Sequence, residues 1–382
     1  MRVALVHDWL TGLRGGERAL HELALLYPDA DLFTLVHVPG MTTDAIEDRR
    51  IVSSPLSKLP GVARYYRLLL PLFPWAIRRF DLSQYDLVIS CSHAVAKSVS
   101  TGPDTKHLCY CLTPMRYAWD QADAYLGRGF LRWVATPLIA YLRHFDTRYS
   151  DPKSVTEFVA ISSTVRTRIR DHYGREASIV YPPVDVDAFD DERADPSPAD
   201  RDAYLLVGGF VPYKLESLAI EAFARCDRTL IVVGDGPTRA ELERTAPDNV
   251  RFLGRVGDTE LRTRYRECRA LLYPQEEDFG LVAVEAQAAG RPVIAYGRGG
   301  ARDTVVDFRD ARASNPTEAP ATGVYFEEQT PEALLAALDL FEANEAAFEP
   351  KRIREWSLQF GIQRFRADFR RDIEKLLERP AL

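Results

Sequence analysis

The stretch Leu271-Leu-Tyr-Pro-Gln-Glu-Glu-Asp-Phe-Gly-Leu-Val-Ala-Val-Glu-Ala-Gln-Ala-Ala-Gly-Arg-Pro-Val-Ile-Ala295 holds a complete structural sentence. It contains an apolar run, a tight acidic turn, a helical pattern opening near Gly280, a stop at Gly290 and a second apolar run. Neither run alternates, so both predict strands covered on two faces, as in a parallel sheet. A glycine just past the last helical residue tolerates the left-handed conformation that ends a helix.

The same alternation extends outward in both directions. Strands are expected at Arg2–Val6, Asp86–Ser90, His107–Leu112, Glu157–Ile161 and Ser178–Tyr181, then at Tyr204–Val207, Thr229–Val233, Val250–Leu253, Ala270–Tyr273, Pro292–Ala295 and Gly323–Phe326. Helices fall between them at Glu17–Leu26, Ser162–His172, Leu215–Arg225, Asp258–Cys268, Leu281–Ala289 and Pro331–Phe341. This is the pattern of a doubly wound α/β protein. Pro182-Pro183 and the polar stretch Asp190–Asp202, with Pro196 and Pro198, interrupt it and read as a linker or exposed loop. Two α/β halves of similar size result, and ligands of such pairs sit in the cleft between them.

Composition narrows the function classes. The 382 residues are 46% hydrophobic and 27% charged, ample for large cores. A net charge of −7 argues against a dedicated nucleic-acid binder. The five cysteines form no disulfide framework, and Cys109 and Cys111 lack partners at zinc-finger spacing, which fits a reducing cytosol. No apolar run reaches 18 residues and Met1–Leu10 is no signal peptide, so spanning a membrane and secretion are not first readings.

Chemistry concentrates around the opening stretch. Glu277 lies on the acidic turn, while Glu285, five residues past Gly280, lies roughly 7–8 Å along the helix. The amides of Gly280 and Leu281 open that helix and would attract a diphosphate. One carboxylate could then hold sugar hydroxyls and the other a ribose. An acidic loop before an ordinary amphipathic helix is the other reading of the same residues.

With its surroundings, the stretch resembles the signature of the retaining nucleotide-sugar glycosyltransferases, family four in the usual classification, with the two-domain GT-B fold. The resemblance also includes Gly-Gly-Phe-Val-Pro-Tyr-Lys (208–214), Val-Val-Gly-Asp-Gly-Pro (232–237), Phe-Leu-Gly-Arg-Val (252–256), Tyr-Gly-Arg-Gly-Gly (296–300), Val-His-Asp-Trp-Leu-Thr-Gly (6–12) and Tyr-Pro-Pro-Val-Asp (181–185). Within the family the chain is most similar to bacterial mannosyltransferases of O-antigen and exopolysaccharide assembly.

That resemblance implies two facing Rossmann-like domains: residues 1–184 for the acceptor, 185–355 for the nucleotide sugar, and 356–382 as a tail with a helix crossing back to the first. It implies that Lys214 neutralises the donor pyrophosphate as it leaves, that Glu277 contacts the donor sugar and that Glu285 contacts the ribose. Gly15 and Gly16 would bring backbone amides to the phosphates, since no Cβ intervenes. Arg255 and Val256 would flank the base, and Gly234 would shape the neighbouring wall unless its turn is purely structural. Neither a metal nor another cofactor is implied, and the Asp-x-Asp pairs at Asp29–Asp31 and Asp185–Asp187 read as turn residues in connecting segments.

Two departures bear on the donor. Relatives often carry an arginine where this chain has Gly209; Arg298, Arg302 or Arg14 could replace it. Leu112 stands where a histidine commonly touches the sugar 6-hydroxyl, which opens the way to a 6-deoxyhexose or pentose. The expected reaction is transfer, best from GDP-mannose, to a lipid-linked or oligosaccharide acceptor, with UDP- or dTDP-sugars as alternatives and a catalytically silent nucleotide-sugar-binding scaffold as the rival. His7, His93 and His107 read as core residues near strand ends, and Asp8 as an acceptor-site candidate. Retention without an evident carboxylate nucleophile suggests front-face substitution, in which leaving-group stabilisation and positioning dominate.

Gly61–Phe80 holds four arginines, five aromatics and no acid, and Arg128–Arg148 adds Phe130, Trp133, Tyr141 and Phe145 among basic residues. Such segments suit peripheral contact with an anionic membrane surface, here the inner face of the plasma membrane, or else a packed helix with snorkelling arginines.

Overall fold

The computed structural model describes residues 1–119, 130–189, 202–313 and 320–379. Of the expected linker, residues 190–201 lie outside the described residues, as do Arg128 and the side chains of Phe130 and Trp133. Two compact units emerge: Met1–Pro183 with Phe365–Leu382, and Val184–Arg364.

The first unit is built on seven strands: β1 Val3–Leu10, β2 Asp31–His37, β3 Ile51–Ser53, β4 Leu87–Ser92, β5 Lys106–Cys111, β6 Glu157–Ala160 and β7 Ala177–Ile179. Their order is β3-β2-β1-β4-β5-β6-β7, and every pairing is parallel. The second unit has six: β8 Tyr204–Gly209, β9 Leu230–Asp235, β10 Val250–Gly254, β11 Leu271–Tyr273, β12 Val293–Tyr296 and β13 Gly323–Phe326, in the order β10-β9-β8-β11-β12-β13. These are parallel too. Strands β2 and β3 were not among the expected ones. The three residues of β3 are too few for a periodic signal, and β2 follows Pro28-Asp29-Ala30, which reads as a turn. Asp31, expected in a connecting segment, opens β2 and accepts the Tyr85 hydroxyl.

Side chains explain why both sheets are covered. Val6, Phe33, Phe73, Tyr85 and Val88 pack in one core; Tyr204, Phe223, Val232, Leu338 and Phe341 pack in the other. Burying a side chain of this size contributes about 1.5–3 kcal/mol. Strand order reverses between β1 and β4 in one unit and between β8 and β11 in the other. In open parallel sheets such a reversal leaves a crevice at the carboxyl ends of the strands, where ligands bind.

The chain rejoins the first unit at Phe365 rather than at residue 356. Residues before that point hold to the second unit, where the Val184 N–H donates to the Phe360 carbonyl at 3.0 Å. In the first unit Phe365 and Phe369 meet the Tyr110 ring edge-on, at 5.8 and 5.7 Å between centroids. Arg366 pairs with Glu22 at 2.6 Å, and the Ser178 hydroxyl donates to Asp372 at 2.7 Å.

Candidate functional site

In the second unit, β11 lies beside β8, with Leu271 opposite Leu205. The turns that leave these neighbouring strands therefore emerge side by side. One carries Pro212–Lys214 and the other Pro274–Gly280. Between them the Lys214 Nζ meets Glu277 Oε1 at 2.6 Å, and both side chains keep 19% of their surface in solvent. Burial pulls the Lys214 ammonium down, but Glu277 outweighs it and leaves its pKa raised. The cation therefore persists at neutral pH in reach of solvent.

Several groups hold Glu277 still. Its Oε2 accepts the Tyr273 hydroxyl at 3.1 Å, and its carbonyl accepts the Gly300 N–H at 2.7 Å. Glycines make this packing feasible. Gly280 has φ +96°, and a Cβ there would lie 2.6 Å from the Tyr273 hydroxyl. A Cβ on Gly300 would lie 2.3 Å from the Phe279 Cα. Gly280 caps the Leu281–Ala288 helix, so the first N–H groups of that helix open next to the Glu277 turn. Glu285, on the same helix, accepts the Tyr265 hydroxyl at 2.8 Å.

The other expected residues of this unit line the end of β9 and β10. Gly234 has φ +137°, and a Cβ would overlap the Gly208 carbonyl, so its place in the wall is set by close backbone approach. Arg255 is exposed, with Nε 3.8 Å from Asp235, and Val256 is half-buried. Nothing steric requires glycine at 209, where a Cβ would meet only the Asp235 carbonyl at 3.9 Å. Of the arginines considered as its replacement, Arg298 is exposed, while Arg302 donates to the Gly297 carbonyl at 2.6 Å and pairs with Glu327 at 3.5 Å. Arg14 belongs to the first unit.

The first unit has a different character. Asp8 is fully buried near the end of β1, and its carboxylate is saturated. Oδ2 accepts the N–H groups of His93 and Ala94 at 2.8 and 2.9 Å, and Oδ1 those of Val95 and Ala96 at 2.7 and 2.8 Å. This corrects the expectation that Asp8 meets an acceptor: its lone pairs hold the turn after β4. Gly15 and Gly16 open the Gly15–Leu26 helix. A Cβ on Gly16 would lie 2.7 Å from Leu112 Cδ1, so the leucine at the histidine position fills the space over that turn. Beneath it, His7 Nδ1 lies 2.8 Å from the Cys91 carbonyl, and its Nε2 is 3.8 Å from Glu17. His93, also near the β4 end, stands edge-on to Trp9 with centroids 4.4 Å apart, and His107 is buried between Ser90 and the Ser154 carbonyl.

Three participants were absent from the sequence reading: Tyr265, Tyr273 and Glu216. Glu216 opens the Glu216–Phe223 helix two residues after Lys214 and is buried. Its acid at a first helical position was the available signal, but that position also suits a plain helix-dipole partner.

Residues 188–357 match the family Glycosyl transferases group 1. A D-inositol 3-phosphate glycosyltransferase of Kineococcus radiotolerans is 32% identical over 216 residues, 49% of this chain and 49% of that protein. An uncharacterized glycosyltransferase of Methanocaldococcus jannaschii is 28% identical over 170 residues, 42% of this chain and 47% of its own length. The chain thus spans about half the length of the curated relatives it matches. Among solved structures, Anabaena HepE in complex with UDP and glucose superimposes with a TM-score of 0.65 at 17% identity, covering 98% of this chain and 99% of that one. WaaG, a glycosyltransferase involved in lipopolysaccharide biosynthesis, gives 0.66 at 17% identity over 96% and 98%. The fold shared with them is GT-B, α/β with two parallel-sheet Rossmann-like domains.

Proposed function

We propose that the chain is a retaining, metal-independent glycosyltransferase that moves a sugar from a nucleotide diphosphate sugar to a saccharide acceptor. The observation that carries this reading is the Lys214–Glu277 pair, partly open to solvent beside the N-terminus of the Leu281–Ala288 helix. As the sugar–phosphate bond loosens, negative charge grows on the diphosphate. A fixed ammonium and aligned N–H groups stabilise that charge without reorganising, and the departing oxygen takes the acceptor proton. Glu277, held by Tyr273, orients the sugar, and Glu285, held by Tyr265, meets the ribose. Gly234, Arg255 and Val256 complete the donor surface of the second unit, with no cofactor.

GDP-mannose is the proposed donor. A UDP- or dTDP-sugar, a 6-deoxyhexose or pentose among them, is the second reading, and Leu112, which offers a 6-hydroxyl no hydrogen bond, favours it. Incubation with GDP-, UDP- and dTDP-sugars and a saccharide acceptor extract tests both readings. Free nucleoside diphosphate with an elongated acceptor is expected, and binding without turnover by any acceptor would leave only the scaffold.

The proposal includes a lipid-linked acceptor and peripheral attachment to an anionic surface on the cytoplasmic side. Among the described residues no helix is long and apolar enough to cross a membrane. Between residues 61 and 80, however, Leu68 (78% exposed), Leu72 and Trp75 (50%) point outward, while Tyr66, Phe73 and Phe80 fill the core. Arg64, Arg67 and Arg79 are exposed among them, and Arg79 stacks on Trp75 at 5.3 Å. Each well-placed cation contributes about 1 kcal/mol near anionic lipid. Sedimentation with anionic liposomes at low salt is expected; equal recovery in the supernatant with and without them overturns the attachment.

A further inference from the structure

We infer that Glu216 is a positioning residue for the donor diphosphate: ionised, its charge beside Lys214 opposes the diphosphate, and protonated, it no longer does. The inference rests on the donor site proposed above and adds its regulation by protons.

The geometry begins at Gly208. Because this residue has no Cβ, a space opens over its Cα into which two side chains converge. A Cβ built there would lie 3.8 Å from Glu216 Oε1 and 3.9 Å from Lys214 Nζ. Glu216 is only 3% exposed, and its Oε1 has no hydrogen-bond partner. Leu215, just before it, adopts φ +56°, a left-handed conformation that leucine takes at a cost. That twist starts the helix immediately and leaves Glu216 on its buried face.

The charged groups acting on Glu216 are few. Burial disfavours its ionised form and Glu277 repels it, whereas its own N–H, Lys214 and the Val211 N–H favour it, and the balance raises its pKa to about 7. Tyr213 acts on Lys214 in turn. All seven histidines of the chain lie between residues 7 and 172, so the second unit has none to titrate in this range. Above neutrality, two carboxylates lie near one ammonium, which Glu277 pairs, and an arriving diphosphate meets net negative charge. Below it, Glu216 is neutral and Glu277 is the only anion on Lys214.

The test is equilibrium binding of UDP-glucose and GDP-mannose to the full chain at pH 6, 7 and 8. The diphosphate of a nucleotide sugar is doubly esterified and keeps its charge across this range, so the ligand contributes no slope. Wild-type affinity is expected to fall roughly three- to tenfold from pH 6 to 8, as one coupled proton dictates. In Glu216→Gln it should stay flat and close to the wild-type value at pH 6. Glu216→Val removes the acid without burying another polar group, and gives the same readout should Gln disturb the turn. An equal slope in wild type and both variants overturns the inference. Absence of binding by either sugar at every pH instead overturns the donor site itself.

Discussion

The ends of β1 and β8 occupy corresponding places, each beside a reversal of strand order, yet their polar groups are spent in opposite ways. At the end of β1 the Asp8 carboxylate is fully buried and accepts four backbone N–H groups. At the end of β8, Lys214 and Glu277 hold one another at 2.6 Å and both remain partly in solvent. A saturated carboxylate has no lone pair left to offer a ligand. An ion pair partly in solvent, with spare hydrogen-bonding capacity, can be reopened by one. The first arrangement shapes backbone, and the second is poised for exchange.

Exchanging the two losses gives the largest contrast. Asp8→Ala leaves four buried N–H groups unpaired and should cost about 3–5 kcal/mol of stability, since each unsatisfied donor carries a penalty of ~1–3 kcal/mol and relaxation recovers part. Lys214→Ala should leave the melting temperature within a few degrees and lower transfer by ~10²–10³. Thermal unfolding and turnover measured on both variants would erase the distinction if Asp8→Ala folded normally and lost only activity.

What sequence could reveal follows the same division. Residues 271–295 are contiguous, so their order of strand, turn, helix and strand was legible, and Glu277 could be located on the turn. Asp8 was legible as a carboxylate near a strand end, but its partners lie 85 to 88 positions away, on a loop whose conformation no local pattern discloses. Tyr265 was equally hidden, because its link to Glu285 spans 20 residues and two helices. Glu216 escaped because its burial depends on the left-handed Leu215. Chain-local signals give elements, and side-chain partnership across the fold decides what each polar group does.

A second prediction asks how rigidly the open pair is held. Gly280→Ala must place a Cβ 2.6 Å from the Tyr273 hydroxyl at φ +96°, and that hydroxyl holds Glu277. Strain of this kind costs of order 1–3 kcal/mol. The variant should bind nucleotide sugar more weakly, and adding Tyr273→Phe should recover part of the stability while removing the Tyr273 hydrogen bond from Glu277. If the single variant binds donor as wild type does, the turn is looser than the packing indicates.

The smallest effect lies back in the first unit, where His7 and Glu17 face each other at 3.8 Å in full burial. Burial draws the His7 pKa down, but Cys91 and Glu17 outweigh it, leaving it well above 6.5. Burial pushes Glu17 up, but His7 outweighs it, leaving Glu17 below 4.5. A raised histidine stabilises fully below its unfolded value and loses that contribution as pH rises through the folded one; a lowered glutamate stabilises above its unfolded value and loses it as pH falls. The pair therefore contributes most between the two ordinary values. Glu17→Gln removes one of the two groups that hold the proton on His7 and leaves Cys91 alone against burial, so the His7 pKa falls and less of its contribution is lost as pH rises. His107 and Glu216 titrate in both proteins and cancel in the difference, while His93, which Glu17 also pulls up, shifts in the same direction as His7 when Glu17 is lost. The gap between wild-type and Glu17→Gln melting temperatures should shrink by roughly 2–4 °C from pH 6 to 8, equivalent to about 1 kcal/mol. A gap that widens over that interval would mean His7 is neutral, and the sealed end of β1 would then hold no buried ion pair besides what Asp8 supplies.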